Sequence, residues 1–381
     1  MAPPVYLDYN ATTPVAPEVA EAMLPFLHEA FGNPSSSHEF GLRARQAVKD
    51  AREQVAALIG CAPADIVFTG CATEANNLAL LGVARAAERA GRRHLVVSAV
   101  EHPAVLEPAR ELERRGWALT VVPVDAHGRV SPGDVAAAIR PDTALVSVMH
   151  ANNEVGTIQP IGEIAAITRA RGIPLHCDAA QAAGKIVVDV EALGVDLLTL
   201  AGHKFHATKG VGALYVRPGT AIGPIVFGAD QEHGLRPGTE NVPAIVGFGA
   251  AARLAREHLP ATTESLRQLR DDLHARLAAA VPGLALNGHP EHRLPNTLHV
   301  SFPGVSGRSL LEAARADVAA SVGSACHAEG DAVSGVLAAM GLDAARAMGA
   351  VRLSVGTITT PPEIARAARA LAAAWRALAS R

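Results

Sequence analysis

Six short runs of this chain, residues 66–69, 94–99, 144–150, 174–178, 196–201 and 212–216, are largely apolar along their whole length. A strand buried on one face alternates apolar with polar residues, whereas a strand buried on both faces does not. Such runs belong in a sheet covered on both sides by helices. Helical patterns fall between them, at about 73–90, 103–115, 132–140 and 162–171, and Ser131 before Pro132 has the cap-then-proline order of a helix start. The alternation predicts an α/β chain built on a doubly wound, mostly parallel sheet.

The last third has a different grain. Two helical stretches, 242–258 and 263–280, lead to a strand at 296–302, a small-residue loop around Cys326, a strand at 351–355 and a closing helix from Pro361. The stretch "TPPE" (360–363) has capping-box spacing. At 381 residues the chain is too long for one simple core. The expected division is a large domain over 15–254 and a smaller α+β domain from 1–14 and 255–381, which carries the Cys326 loop.

Bulk properties narrow the function. A net charge of −3 and 3% aromatic residues give no basic surface and few stacking platforms, so no nucleic-acid partner is expected. No run reaches the roughly 18 apolar residues of a membrane span. Cys61, Cys71, Cys177 and Cys326 are too scattered for a disulfide framework or a C-x-x-C zinc site, and a reducing cytoplasm is the expected location. His203 and His206 form H-x-x-H, which is too few ligands to predict a metal.

The residues with chemical potential sit where strands end. Lys204 follows the 196–201 strand; a poorly solvated amine there is easily deprotonated and suits a Schiff base, the alternative being a surface lysine in a polar turn. Asp178 closes the 174–178 strand with Gln181 three residues on. It suits the protonated ring nitrogen of pyridoxal 5'-phosphate (PLP), or else it caps the next helix. Ala72 and Thr73 open a helix after a small-residue turn, a geometry for phosphate or simply an ordinary cap. His102 stands between a strand and Pro103, placed to stack on a ring or to serve structurally. Asn152 and Asn153 lie past the 144–150 strand, and Arg352 suits a substrate carboxylate or a surface ion pair. Cys326 lies among Gly323, Ser324, Ala325 and Ala328, too small to pack a thiol.

With these stretches in place, the sequence resembles the NifS/IscS-like cysteine desulfurases, PLP enzymes of fold type I, which is the aspartate aminotransferase-like class. The motifs run nearly end to end: "YLDYNATTPV", "FGNPSSSH", "EHPAVL", "NNEVG", "CDAAQAAGK", "GHKFHATKGVGALY", "RPGTEN" and "GSAC". The resemblance implies a mostly parallel seven-stranded sheet in the large domain. It implies PLP bound through a Schiff base to Lys204, with Asp178 on the pyridine nitrogen, His102 on the ring, and Asn153 and Gln181 at its face and hydroxyl. The strand-end residues Ala201 and Gly202 border the cofactor. Phosphate would be held by Ala72, Thr73 and His203, joined by Thr239 of a second subunit in a homodimer. Arg352, helped by Asn33, would grip the carboxylate of L-cysteine. Cys326 would take the substrate sulfur as a persulfide, leaving L-alanine, and pass it to a sulfur-acceptor protein such as an iron–sulfur scaffold. Ala201 stands where many members carry a phosphate-binding hydroxyl, and Thr357 where an arginine is common. The selenocysteine lyases of the same wider group are the nearest alternative activity. A catalytically silent sulfur-relay or structural subunit is the alternative from another class.

Overall fold

The computed structural model describes residues 3–323 and 334–380. Among them, twelve strands form three sheets. Val5–Tyr6 (β1) precedes the main sheet, which contains Ile66–Thr69 (β2), His94–Ser98 (β3), Ala118–Val122 (β4), Thr143–Ser147 (β5), Leu175–Asp178 (β6), Leu197–Ala201 (β7) and Gly212–Val216 (β8). Its seven strands run in the order β2-β8-β7-β6-β5-β3-β4. β8 is antiparallel to both its neighbours and the other pairs are parallel. The mostly parallel seven-stranded sheet is therefore as expected, and all six apolar runs lie in it.

β4 is the strand the apolar criterion passes over. It lies at one edge of the sheet, and its burial is partial along most of its length, whereas β2 at the opposite edge is buried throughout. The apolar signature weakens at β4 because solvent reaches that strand, not merely because it is an edge. The 21-residue helix Glu39–Ile59 was also not anticipated. Its buried stripe, Ala44, Val48, Ala51, Val55 and Ile59, keeps helical spacing amid many charges. That stripe packs with the Val242–Ala252 part of a long helix against one face of the sheet. The helices Ala72–Ala87 and Pro103–Arg114 cover the other face.

The two helices expected at 242–258 and 263–280 are one, Val242–Ala280, with Pro260 inside it. Proline removes a backbone donor and normally ends a helix. Here each half is held by a different core: Val242, Ile245 and Phe248 belong to the sheet-side cluster, and Leu266, Leu273 and Leu277 to a second. Packing overrides the local penalty.

The second core also includes Val5, Leu7 and the closing helix Pro361–Ala379, whose Thr360–Glu363 capping box is formed. It gathers on a three-stranded antiparallel sheet of Ala285–Leu286 (β9), Thr297–Ser301 (β10) and Ala350–Ser354 (β12), ordered β12-β10-β9. Val318–Ala319 (β11) pairs in parallel with β1. The chain's first strand thus reaches the C-terminal third, and Asn10, a few residues on, lies between the two cores. No helix among the described residues is long and apolar enough to cross a membrane.

Candidate active site

A cavity of about 300 Å³ opens beyond the carboxyl ends of the parallel strands, with β12 contributing Arg352 to its wall. This is where open α/β sheets bind ligands. Ala72, Thr73, His102, Asn153 and Asp178 line it, and so do Gln181, Ala201, His203, Lys204 and Arg352. Cys326 lies outside the described residues; Gly323 and Val336, on either side of that gap, border the cavity.

Lys204 ends the short 3-10 turn Gly202–Lys204 after β7. Gly202 is buried beneath it and does not line the cavity. A Cβ there would come within 2.9 Å of Val211 and 3.2 Å of Phe248, so only glycine lets the turn pack this closely. The Lys204 amine donates to the carbonyl oxygens of Asn10 (2.6 Å) and Ala11 (2.8 Å). Those carbonyls come from the N-terminal segment, so folding that segment back is what aims the lysine.

Asp178 is 5% exposed at the end of β6. Its Oδ1 accepts the Ala180 amide (2.9 Å) and its Oδ2 accepts the Asn76 side-chain amide (2.7 Å). Asn76 is itself fully buried, in the first turns of the Ala72–Ala87 helix. His102 caps the Pro103–Arg114 helix, its Nδ1 accepting the Ala104 amide (3.1 Å). A neutral ring held this way carries its proton on Nε2. Burial holds the His102 pKa below the ordinary histidine value; Asp178 opposes that shift and Lys204 adds to it. Beside it, Glu101 is buried, with Oε1 accepting from Ser98 (2.6 Å) and the Met149 amide (2.7 Å). Burial pushes its carboxyl up to about 8, against those two hydrogen bonds, and Asp178 adds to the rise.

At the other end stand Cys71, Ala72 and Thr73, at the N-terminus of a 16-residue helix. Its amide dipoles favour an anion. The start of β8 passes close beneath: a Cβ on Gly212 would lie 2.8 Å from the Cys71 carbonyl carbon and 3.0 Å from the Ala72 nitrogen. His203 hydrogen-bonds Thr12 through Nδ1 (3.2 Å), and burial, with Lys204, Lys209 and Lys185 adding to it, pushes its pKa down to about 4. His206 faces elsewhere, to the Pro14 carbonyl and Thr357. No group of three or more potential metal ligands occurs among the described residues.

Arg352 is 3% exposed, donating to Asp8 (2.7 Å) and to the Asn153 carbonyl (3.0 Å). Its Nε has no partner among the described residues. Of the two asparagines past β5, Asn153 lines the cavity. Asn152 braces the turn instead, accepting the amides of Glu154 and Val155 and donating to the Val100 carbonyl. Asn33 and Thr239 are exposed and lie outside this cavity's lining; the Asn33 side chain accepts the Ser35 amide.

Four participants escaped the sequence reading: Asn10, Asn76, Glu101 and Lys185. Asn10 is 1% exposed and links Ser354, Thr297, Asn296 and Asn153 to both lysines. Nothing local marks it, because its partners are far away in the chain. Glu101 and Asn76 adjoin motifs already noted, and their burial beside Asp178 is the signal.

These groups suit PLP: a carboxyl held by two donors could pair with a pyridine nitrogen, a helix N-terminus could take a phosphate, and an amine lies on the same cavity wall.

Comparison with known proteins agrees. The model of the aminotransferase class-V family matches residues 5–366. The chain is 48% identical over 364 residues to a protein named cysteine desulfurase IscS from Anaeromyxobacter sp. (strain Fw109-5), covering 95% of this chain and 90% of that protein. It is similar to a solved structure named NifS-like protein, with TM-score 0.91, 39% identity and coverage of 97% and 98% of the two chains. It also resembles SspA, solved in complex with cysteine, with TM-score 0.82, 37% identity and coverage of 93% and 99%. By the extent of these matches and the fold they share, the chain belongs to the aminotransferase class-V family.

Proposed function

We propose that this protein is a PLP-dependent cysteine desulfurase, converting L-cysteine to L-alanine with a persulfide formed on Cys326. The observation that carries the reading is the convergence of Lys204, Asp178, His102 and Arg352 on one cavity. Lys204 would hold PLP covalently, Asp178 would pair with the ring nitrogen and His102 would lie against the ring. Asn153 and Gln181 contact the ring and its oxygen. Ala72, Thr73 and His203 hold the phosphate, with Thr239 of the partner subunit completing the site in a cytoplasmic homodimer. PLP supplies an electron sink for the bond-breaking steps. Arg352 would fix the substrate carboxylate, with Asn33 assisting, and the Lys204 amine, freed when the substrate amine replaces it, would move the Cα proton. The Cys326 thiolate forms a bond to the substrate sulfur as the Cβ–S bond breaks, and later yields that sulfur to an acceptor protein.

The test is to load the protein with PLP and supply L-cysteine or L-selenocysteine with a thiol reductant, measuring alanine. Alanine from L-cysteine is the expected result. Alanine from selenocysteine alone would make the protein a selenocysteine lyase, and none from either, with no visible cofactor band, a silent relay subunit.

A further inference from the structure

Gln181 lines the cavity, and its amide can in principle present either its oxygen or its NH2 group to a ligand. Its surroundings decide which. One end lies 2.9 Å from the backbone oxygen of Asn10, which only accepts, so that end is Nε2. The other end, Oε1, lies 2.7 Å from the amine of Lys185. Lys185 is 5% exposed, and its amine also donates to Asn10 Oδ1 at 3.3 Å. Burial, with Lys204 and Arg352 adding to it, holds that amine well below the ordinary lysine pKa.

The Asn10 oxygen that orients Gln181 also receives the Lys204 amine (2.6 Å). The second Gln181 N–H is therefore a donor adjacent to the catalytic amine. In PLP the ring oxygen is the neighbour of the aldehyde carbon with which a lysine condenses.

We propose that Lys185 is a positioning residue: by occupying Gln181 Oε1 it turns the amide so that only a donor meets the anionic ring oxygen beside Lys204. The inference rests on the PLP reading above and specifies how the site recognises that oxygen.

The test measures PLP affinity and the visible absorption of the full chain rather than turnover. Stripped protein is titrated with PLP for the parent, Q181A, Q181E, K185M and K185M/Q181A. Loss of one hydrogen bond to a charged oxygen predicts roughly tenfold weaker PLP binding in Q181A and K185M. The double variant should bind no more than about threefold weaker than Q181A, because Lys185 acts through Gln181. Q181E keeps an acceptor for Lys185 but turns a second oxygen to the ring, so it should bind PLP more weakly than Q181A. Losses that multiply in the double variant, parent-like affinity in a folded K185M, or parent-like affinity in Q181E would each overturn the inference. Should K185M fail to fold, Q181E decides alone. A parent that takes up no PLP overturns the proposed function and this inference together, whereas normal uptake by the parent with an unaffected Q181E overturns the inference only.

Discussion

The seven-stranded and three-stranded sheets both contribute to one cavity, but in opposite ways. The parallel sheet offers its strand ends. There the chain turns into helices or tight turns, and Asp178, His102, Lys204 and the Ala72–Thr73 amides stand on one rim. The antiparallel sheet offers the middle of a strand: Arg352 lies within β12, paired in register with His299 of β10. Its charge is almost fully buried and anchored by Asp8 and the Asn153 carbonyl. Strand ends suit a cofactor that needs several unlike groups at once, because each strand can end in a different residue. A mid-strand arginine is stiffer and suits a single carboxylate. On the proposed function, the cofactor belongs to the first region and substrate recognition to the second, with Asn10 as the tie between them.

That division can be broken by substitution. Lys204→Ala carries the largest expected effect. Alanine formation should fall by roughly 10²- to 10⁴-fold, the range that proton transfer by a positioned group supplies, and borohydride should no longer fix PLP to the chain. Arg352→Ala should lower kcat/KM for L-cysteine by about 10²-fold, the scale of losing a charged contact to a carboxylate. Most of that loss should appear in KM, and the PLP affinity should stay within about threefold of the parent. A matching loss of PLP affinity would erase the contrast between the sheets.

A smaller effect sharpens the picture of the cofactor rim. The Glu101 carboxyl is raised from an ordinary 4.5 to about 8 in the fold, chiefly by burial. The folded protein thus keeps a proton that the unfolded chain gives up. The resulting stability is fully present below about pH 4.5 and is lost as pH rises through about 8. Relative to Glu101→Gln, which cannot titrate, the parent should lose stability by about 1.4 kcal/mol per pH unit at most across that window. Urea unfolding midpoints of both proteins over the window provide the check; a constant difference between them would show that the carboxyl does not titrate there.

Much of the rim was legible because its signals are local. An apolar run ending in Asp178, or one followed by Gly202–Lys204, announces a strand end in a handful of residues. Arg352 was legible as a residue within a strand, though not its anchoring by Asp8, 344 positions away. Asn10 was illegible for the same reason: it bonds Ser354, 344 positions away, and Asn296, 286 positions away. Lys185 shows only an isolated lysine in "AAGKIV" until the fold buries it against Gln181. Pro260 misled because its local rule is sound, and two separate cores overruled it.

On the proposed function, this cavity takes sulfur from L-cysteine and leaves it on Cys326. The direct measurement is to incubate the PLP-loaded protein with L-cysteine without reductant, digest it and weigh the peptide containing Cys326. One added sulfur on that peptide, absent in Lys204→Ala and removed by a thiol reductant, is the predicted result. Alanine produced at the parent rate by Cys326→Ala, or a Cys326 peptide of unchanged mass while alanine accumulates, would contradict it.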